Sequence, residues 1–466
     1  MLLSNAVYRF RGIAKNIMII SIVVVIVIAA VGGYLYYLST QRPVQVGEIK
    51  IGLLFPLTGS MAPLGIDQMT GARIAIDLIN ERGGILGKYK INYVIADSKS
   101  DPKVAASEAE RLATLERVQI IIGSYASPLA LAATEVTEKY KVIYWEVGAV
   151  TDSITLRNFT YILRNQEIGG DLGIVSALFL RDVVAPKLGK PPSQIKVAII
   201  HEDGPYGTSV ATSNEKMVRK FGFNVVLREA YSASSTDLSP LILKLKAAEP
   251  DVILATGYYT DAVLFFRQAK ELGLKFKVFI GHGGGHSLPA TYQAVGKDMD
   301  YVFTVDTPPP PPGFNINAIR EDLRPLVEEF VKRFEKERGY KPLTHAYMGF
   351  ANTIPLLTEI LPRVIEKYGK VDPDSILKVA WEIDIPDGGT PMGYGLKFST
   401  PSNPSDTVLG MIGRAESPEK HIGQNIRARP VVMQWINGSL YVVYPKEWAV
   451  MDPIIPLPPS SPYYKP

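Results

Sequence analysis

Short apolar runs and amphipathic stretches alternate along this chain, and then the alternation begins a second time. IKIGLLFPLTG (49–59) reads as a buried strand ending in a turn. GARIAIDLINERGG follows it, with Ala72, Ile74, Ala75, Leu78 and Ile79 at helical spacing and Gly83-Gly84 as a stop. INYVIAD, PKVAASEAERLATLE, QIIIG, PLALAATEVTEKY and KVIYWEVG continue the series. KVAIIHED, a helix around Val210 to Phe221, NVVLREAYS, LSPLILKLKAAE, DVILATGYY, DAVLFFRQAKELG and KVFIG repeat it. Strands that alternate with helices imply parallel sheets joined by crossover connections, hence two α/β lobes in succession. At 466 residues with 47% hydrophobic content the chain is long enough to fill two cores.

What precedes the first lobe is of another kind. Ile17 to Leu38 carries no charge, and about 20 apolar residues suffice for a helix to cross a bilayer core. Arg9, Arg11 and Lys15 lie before it and Tyr34, Tyr36 and Tyr37 close it. The basic end is therefore expected inside and the aromatic end at the outer interface. An uncleaved anchor is favoured over a removable signal peptide, because the run is long and no clean small-x-small cleavage site follows. The expectation is a cytoplasmic tail (1–16), a transmembrane anchor (17–38), a linker (39–47), and everything beyond on the outer face of the cell membrane.

Composition excludes several functions. Fifty basic residues against 46 acidic ones leave a net charge of +4, with no basic run interleaved with aromatics, so nucleic acid is not an expected partner. With no cysteine, disulfides, thiolate metal sites and cysteine nucleophiles are absent. No phosphate-binding G-x-x-x-x-G-K-[ST] loop occurs, and no G-x-G-x-x-G follows the first strand of either lobe; no cofactor is expected. GHGGGH (281–286) resembles the oxyanion loop of some esterases, but no G-x-S-x-G accompanies it. As a metal site it is weak, since glycines do not fix two imidazoles; a tight or mobile turn is the simpler reading. TPPPPPG (307–313) is expected to be a stiff surface connector, Asn437-Gly438 the turn of a hairpin, and the final Pro-rich stretch a disordered tail.

One local feature points to a ligand. In SYASPLALAATEVTEKY, Ser127 before Pro128 has the form of an N-cap followed by proline at the first helical position. That terminus follows the end of a parallel strand, where open α/β sheets bind ligands, and free amides there suit a carboxylate.

Together with that segment, IKIGLLFPLTGSMAPLG, GARIAIDLINERGGILG, HEDGPYG and PDVILATGYYTDAVLFFRQAKELGL resemble the leucine/isoleucine/valine-binding proteins of branched-chain amino acid ABC transporters, in order from about Ile49 to Leu274 and more loosely to Tyr444. The resemblance implies a type I periplasmic-binding fold, two Rossmann-like lobes with parallel sheets joined by three crossings. Lobe I is then expected at 48–167 and 303–392, lobe II at 168–302 and 393–446, and the tail at 447–466. It further implies that Ser127 binds a ligand carboxylate beside Ala126, and that Gly148, Ala149 and Thr151 form a second contact, with Val150 where the family usually has threonine. Tyr206 and Tyr258 are implied to close over the ligand from the second lobe. The family's ammonium-pairing acid falls at Gly283, which leaves Glu146 or Asp152 as substitutes, or a ligand without an ammonium. Many relatives carry a disulfide at the positions of Ser100 and Ala126. The expected function is capture of a small carboxylate-bearing ligand, an amino acid or related acid or amide, for delivery to ABC permease and ATPase subunits, with no catalysis. The alternatives are a signalling ectodomain or an extracellular hydrolase.

Overall fold

The computed structural model describes residues 47–404 and 420–466. The anchor expected at 17–38, with the tail before it and all of the linker but Gly47, lies outside the described residues; among those described, no helix is long and apolar enough to cross a membrane.

Among the described residues, twelve strands form two sheets. The first contains β1 (Gly47–Phe55), β2 (Tyr89–Asp97), β3 (Ile120–Gly123), β4 (Ile143–Glu146) and β5 (Ile162–Arg164), in the order β2-β1-β3-β4-β5. β3 pairs parallel with β1 and β4, and β4 with β5. Every residue of β3 and β4 is buried, as expected of parallel strands covered by helices on both faces. The second sheet, ordered β12-β11-β10-β9-β8-β6-β7, is built from β6 (Lys196–Glu202), β7 (Asn224–Tyr231), β8 (Val252–Thr256), β9 (Val278–His282), β10 (Phe303–Asp306), β11 (Val431–Ile436) and β12 (Ser439–Tyr444). β6 to β10 run parallel, and the antiparallel hairpin β11/β12 closes one edge. Its turn is the expected Asn437-Gly438, both with positive φ (48° and 80°), the conformation that a two-residue type I′ turn requires.

The chain passes between the sheets after Arg164, after Asp306 and before Val431. These places differ from the lobe boundaries expected above. β10 belongs to the second sheet, so the crossing comes after residue 306 rather than at 303. Residues 393–404 and 420–428 stay with the first lobe: Phe398 packs its ring against Trp145 of β4 at 5.7 Å, and Gln424 bridges to Arg164 of β5. The helices between these crossings cover the first sheet. Helix Thr344–Pro355 lies so close on helix Ala62–Glu81 that a Cβ at Gly71 would collide with the Ala346 carbonyl, and one at Gly349 with that of Gln68.

Two proline-rich segments are buried more than their composition implied. Residues 307–310 are covered, and the Gly313 carbonyl accepts from the Val442 amide of β12 at 2.9 Å; the expected surface connector is packed into the lobe it leaves. The last twenty residues, expected to be disordered, lie along the second lobe. Tyr463 is fully buried, stacks on Phe276 at 5.2 Å and donates its hydroxyl to the Phe266 carbonyl at 2.8 Å, while Lys465 donates to the Glu249 and Pro250 carbonyls. A hydrophobic anchor every few residues holds a segment whose prolines give up no sheet hydrogen bond there.

Candidate ligand-binding site

Parallel strands bring their C-terminal ends to one side, and the two lobes present those ends to each other. Between them lies a narrow cleft, lined from the first lobe by Tyr125, Ser127, Gly148 and Val150, from the second by Tyr206, Tyr258, Gly283 and Gly284, and near the crossings by Leu172, Asp306, His345 and Met348.

The first-lobe wall is a hydrogen-bonded scaffold. The N-cap of helix Ser127–Tyr140 is Ala126, in extended conformation, and Ser127 is the first helical residue; the expected N-cap thus shifts by one. Ser127 is freed from capping its own helix. Its Oγ accepts from the Thr151 amide at 3.2 Å while the side chain lines the cleft, which leaves its hydroxyl proton for a ligand. Glu146, at the end of β4, is fully buried and does not line the cleft. Its carboxylate accepts from the Gly148 and Ala149 amides at 2.6 Å each and from Ser124 at 3.3 Å, bending the chain so that Gly148 faces the cavity. Burial pushes its carboxyl up to about 8 against those amides. Thr151 does not line the cleft: its hydroxyl donates to the Pro205 carbonyl at 3.1 Å, a direct bond from the first lobe to the second. Ala126 and Ala149 are buried and shape the loops without lining the cleft.

The second-lobe wall explains GHGGGH. His282 ends β9 fully buried, held by the Ala255 carbonyl, Thr256, Ser176 and Asn214, and burial lowers it to about 4; its own carbonyl accepts from the Tyr206 hydroxyl. His286 is buried too, its carbonyl accepting from the Trp435 indole at 2.7 Å. The imidazoles are structural. The glycines between them are needed because Gly283 and Gly284 take positive φ (45° and 48°), and because side chains at Gly284 and Gly285 would collide with the carbonyls of Gly257 and Tyr258. This loop is a tight turn that lets β8 and β9 present their ends side by side. Tyr206 and Tyr258, ring centroids 5.3 Å apart, both reach the cleft as expected, and the Tyr258 hydroxyl has no partner.

No acid stands at Gly283, but the next strand brings one beside it. Asp306, last residue of β10, sits so that a Cβ on Gly283 would lie 3.2 Å from its Oδ2. Its Oδ1 accepts from the Thr307 amide at 2.9 Å, whereas Oδ2 has no hydrogen-bond partner. Burial drives its carboxyl up to about 7, with the nearby Ser287 and Thr307 side chains opposing the shift. The proposed substitutes lie elsewhere: Glu146 braces its loop, and Asp152 accepts from the Gly170 amide. Asp306, Tyr125, His345, Leu172 and Met348 were not read from the sequence. An acid at the end of a parallel strand, directly before the proline run, was the available signal for Asp306.

The fold has known counterparts. The sequence profile described as periplasmic binding protein matches residues 48–408. The chain belongs to that family. It is 35% identical over 410 residues to Leu/Ile/Val-binding protein homolog 7 of Brucella abortus (strain 2308), covering 88% of this chain and 94% of the relative. Among solved structures it is similar in fold to the branched-chain amino acid transporter substrate-binding protein LivJ of Streptococcus pneumoniae in complex with isoleucine (TM-score 0.65, 21% identity, 85% of this chain and 100% of that one). A solute-binding protein of an ABC transporter from Rhodopseudomonas palustris BisB5, in complex with 3,4-dihydroxybenzoic acid, is similar to the same degree (TM-score 0.65, 22% identity, 87% and 99%). This family member is an extracytoplasmic solute-binding protein and not an enzyme.

Proposed function

We propose that the protein captures a small zwitterionic amino acid by lobe closure, with the ligand carboxylate at the hydroxyl and backbone amide of Ser127, the ammonium at Asp306, and an apolar side chain against Val150, Leu172 and Met348. The observation that carries this reading is the Asp306 Oδ2, buried, unpartnered and beside the cleft. An ammonium taken out of water without a carboxylate partner is costly, by several kcal/mol, and Asp306 removes that penalty. Tyr206 and Tyr258 belong to the opposite lobe from Ser127, so full contact with the ligand exists only when the lobes are closed, and the ligand shifts the population toward that state. Delivery to an ABC permease and ATPase fits the family, and a span at 17–38 would hold the receptor beside them. As for a hydrolase, Ser127 Oγ is engaged with the Thr151 amide rather than with an imidazole.

A second reading has one observation in its favour: a carboxyl pushed up to about 7 is substantially protonated near neutrality and can donate to a ligand without an ammonium. Calorimetric titration with leucine, isoleucine, 4-methylpentanoic acid and benzoate separates the two. Tight binding of an amino form with weak binding of its amino-lacking analogue supports the zwitterion; equal binding of both refutes it.

A further inference from the structure

One polar side chain at the cleft has no duty in the reading above. His345, second residue of helix Thr344–Pro355, is 2% exposed and lines the cavity. Its Nδ1 has no partner, and its Nε2 stands 3.6 Å from Asp306 Oδ2, too far for a good hydrogen bond. The Tyr125 ring meets it edge-on, centroids 5.3 Å apart, and fixes the plane of the imidazole without engaging a nitrogen. A buried imidazole near a helix N-terminus is held neutral, since burial and the helix dipole both disfavour the cation; burial here lowers it to about 3. A neutral imidazole always keeps one bare lone pair. With its proton on Nδ1, His345 leaves the Asp306 charge uncompensated and turns the Nε2 lone pair toward it as a second acceptor; an ammonium bound between the two selects that tautomer.

We propose that His345 is a specificity-determining residue, an uncharged acceptor that works with the Asp306 carboxylate as a two-point clamp for a primary ammonium. Two acceptors 3.6 Å apart can both be reached by a single nitrogen at about 2.9 Å from each. A primary ammonium has N–H groups for both. A tertiary one has a single N–H and must leave one acceptor bare, and a ligand with no amino group leaves both. The clamp thus counts donors on the head group, which Asp306 alone, acting as a charge, does not. The inference rests on the zwitterion reading, and its test is chosen so that the two can fail separately.

The full-length protein is titrated with whichever of the twenty standard amino acids gives the largest thermal shift, then with its N-methyl, N,N-dimethyl and amino-lacking forms. Wild type is expected to prefer the primary over the dimethyl form by about 30-fold, and His345→Phe, which keeps a ring in the same space, to weaken the primary form about 10-fold but the dimethyl form less than about 3-fold. His345→Gln, which restores an acceptor, is expected to recover part of the preference, and it also guards against a phenylalanine variant that folds poorly. A His345→Phe variant that weakens all four ligands equally, or none, overturns the role of His345 while leaving the zwitterion reading intact. Equal wild-type affinity for the amino and amino-lacking forms overturns both.

Discussion

Two buried carboxylates end two strands of this protein, and their surroundings set them to opposite tasks. Glu146 closes β4 and Asp306 closes β10; both are shielded from solvent, and burial raises both, to about 8 and about 7. Glu146 spends its acceptors on three backbone amides and thereby holds a loop. Asp306 spends one oxygen on Thr307 and leaves the other unpartnered at the cleft. A perturbed acid is thus not in itself a sign of a ligand site. Unspent hydrogen-bonding capacity facing a cavity is the better mark.

The largest expected effect breaks this contrast at Asp306. In Asp306→Asn, affinity for an amino-acid ligand should fall by about 100-fold or more, roughly 3 kcal/mol, because an ammonium is left buried without its counter-charge. Calorimetry checks this, and a change under about threefold would move the head-group site elsewhere. Glu146→Ala should instead lower folding stability by about 3 kcal/mol, read by urea denaturation, since it orphans three buried amides at once. Asp306→Asn should leave unfolding far less affected.

Acidity sharpens the comparison. Both carboxyls hold their proton more readily in the folded protein than in the unfolded chain, where carboxyls titrate near 4. Their contribution to stability is therefore fully present below about 4, declines as pH rises, and levels above about 7 for Asp306 and about 8 for Glu146. Stability without ligand should drop by roughly 2 kcal/mol or more between pH 5 and pH 8. Asp67 and Asp261, raised to about 6 and about 7, share that window, so the variants matter: Asp306→Asn should remove the part that ends near pH 7 and Glu146→Gln the part that runs to pH 8. Affinity for an ammonium ligand should move the other way, rising until Asp306 is ionised and flattening beyond about pH 7. The smallest expected effect concerns the bond between the lobes. Thr151→Val removes the hydroxyl's hydrogen bond to Pro205 and should weaken ligand binding by about 1 kcal/mol, roughly fivefold, with little change in which ligand is preferred.

The Ser127 side of the candidate site was legible in the sequence and the Asp306 side was not. Ser127 could be read because the determinants are local: a strand, a turn, a proline and a helix within a few residues. Tyr206 and Tyr258 came only from the resemblance to the binding-protein family. Even at Ser127 the cap was misread by one position, since backbone angles and not residue identity decide whether Ala126 or Ser127 begins the helix. Thr151 was assigned to the ligand, but the turn directs its hydroxyl across the cleft to Pro205. Asp306 and His345 were missed because they are separated from Ser127 by nearly two hundred residues and more, and meet it only where the chain recrosses between sheets.

The periodicity of apolar residues determined by itself that the chain forms two α/β lobes, because strand and helix each need their own spacing of buried side chains. The left-handed pair Asn437-Gly438 likewise fixed its hairpin. Only the tertiary structure decided which acid faces the cleft. Gly283 leaves a gap just after β9 and Asp306 stands beside it from β10, a juxtaposition in space that no linear pattern records, since neighbouring parallel strands are joined through a crossover rather than a turn.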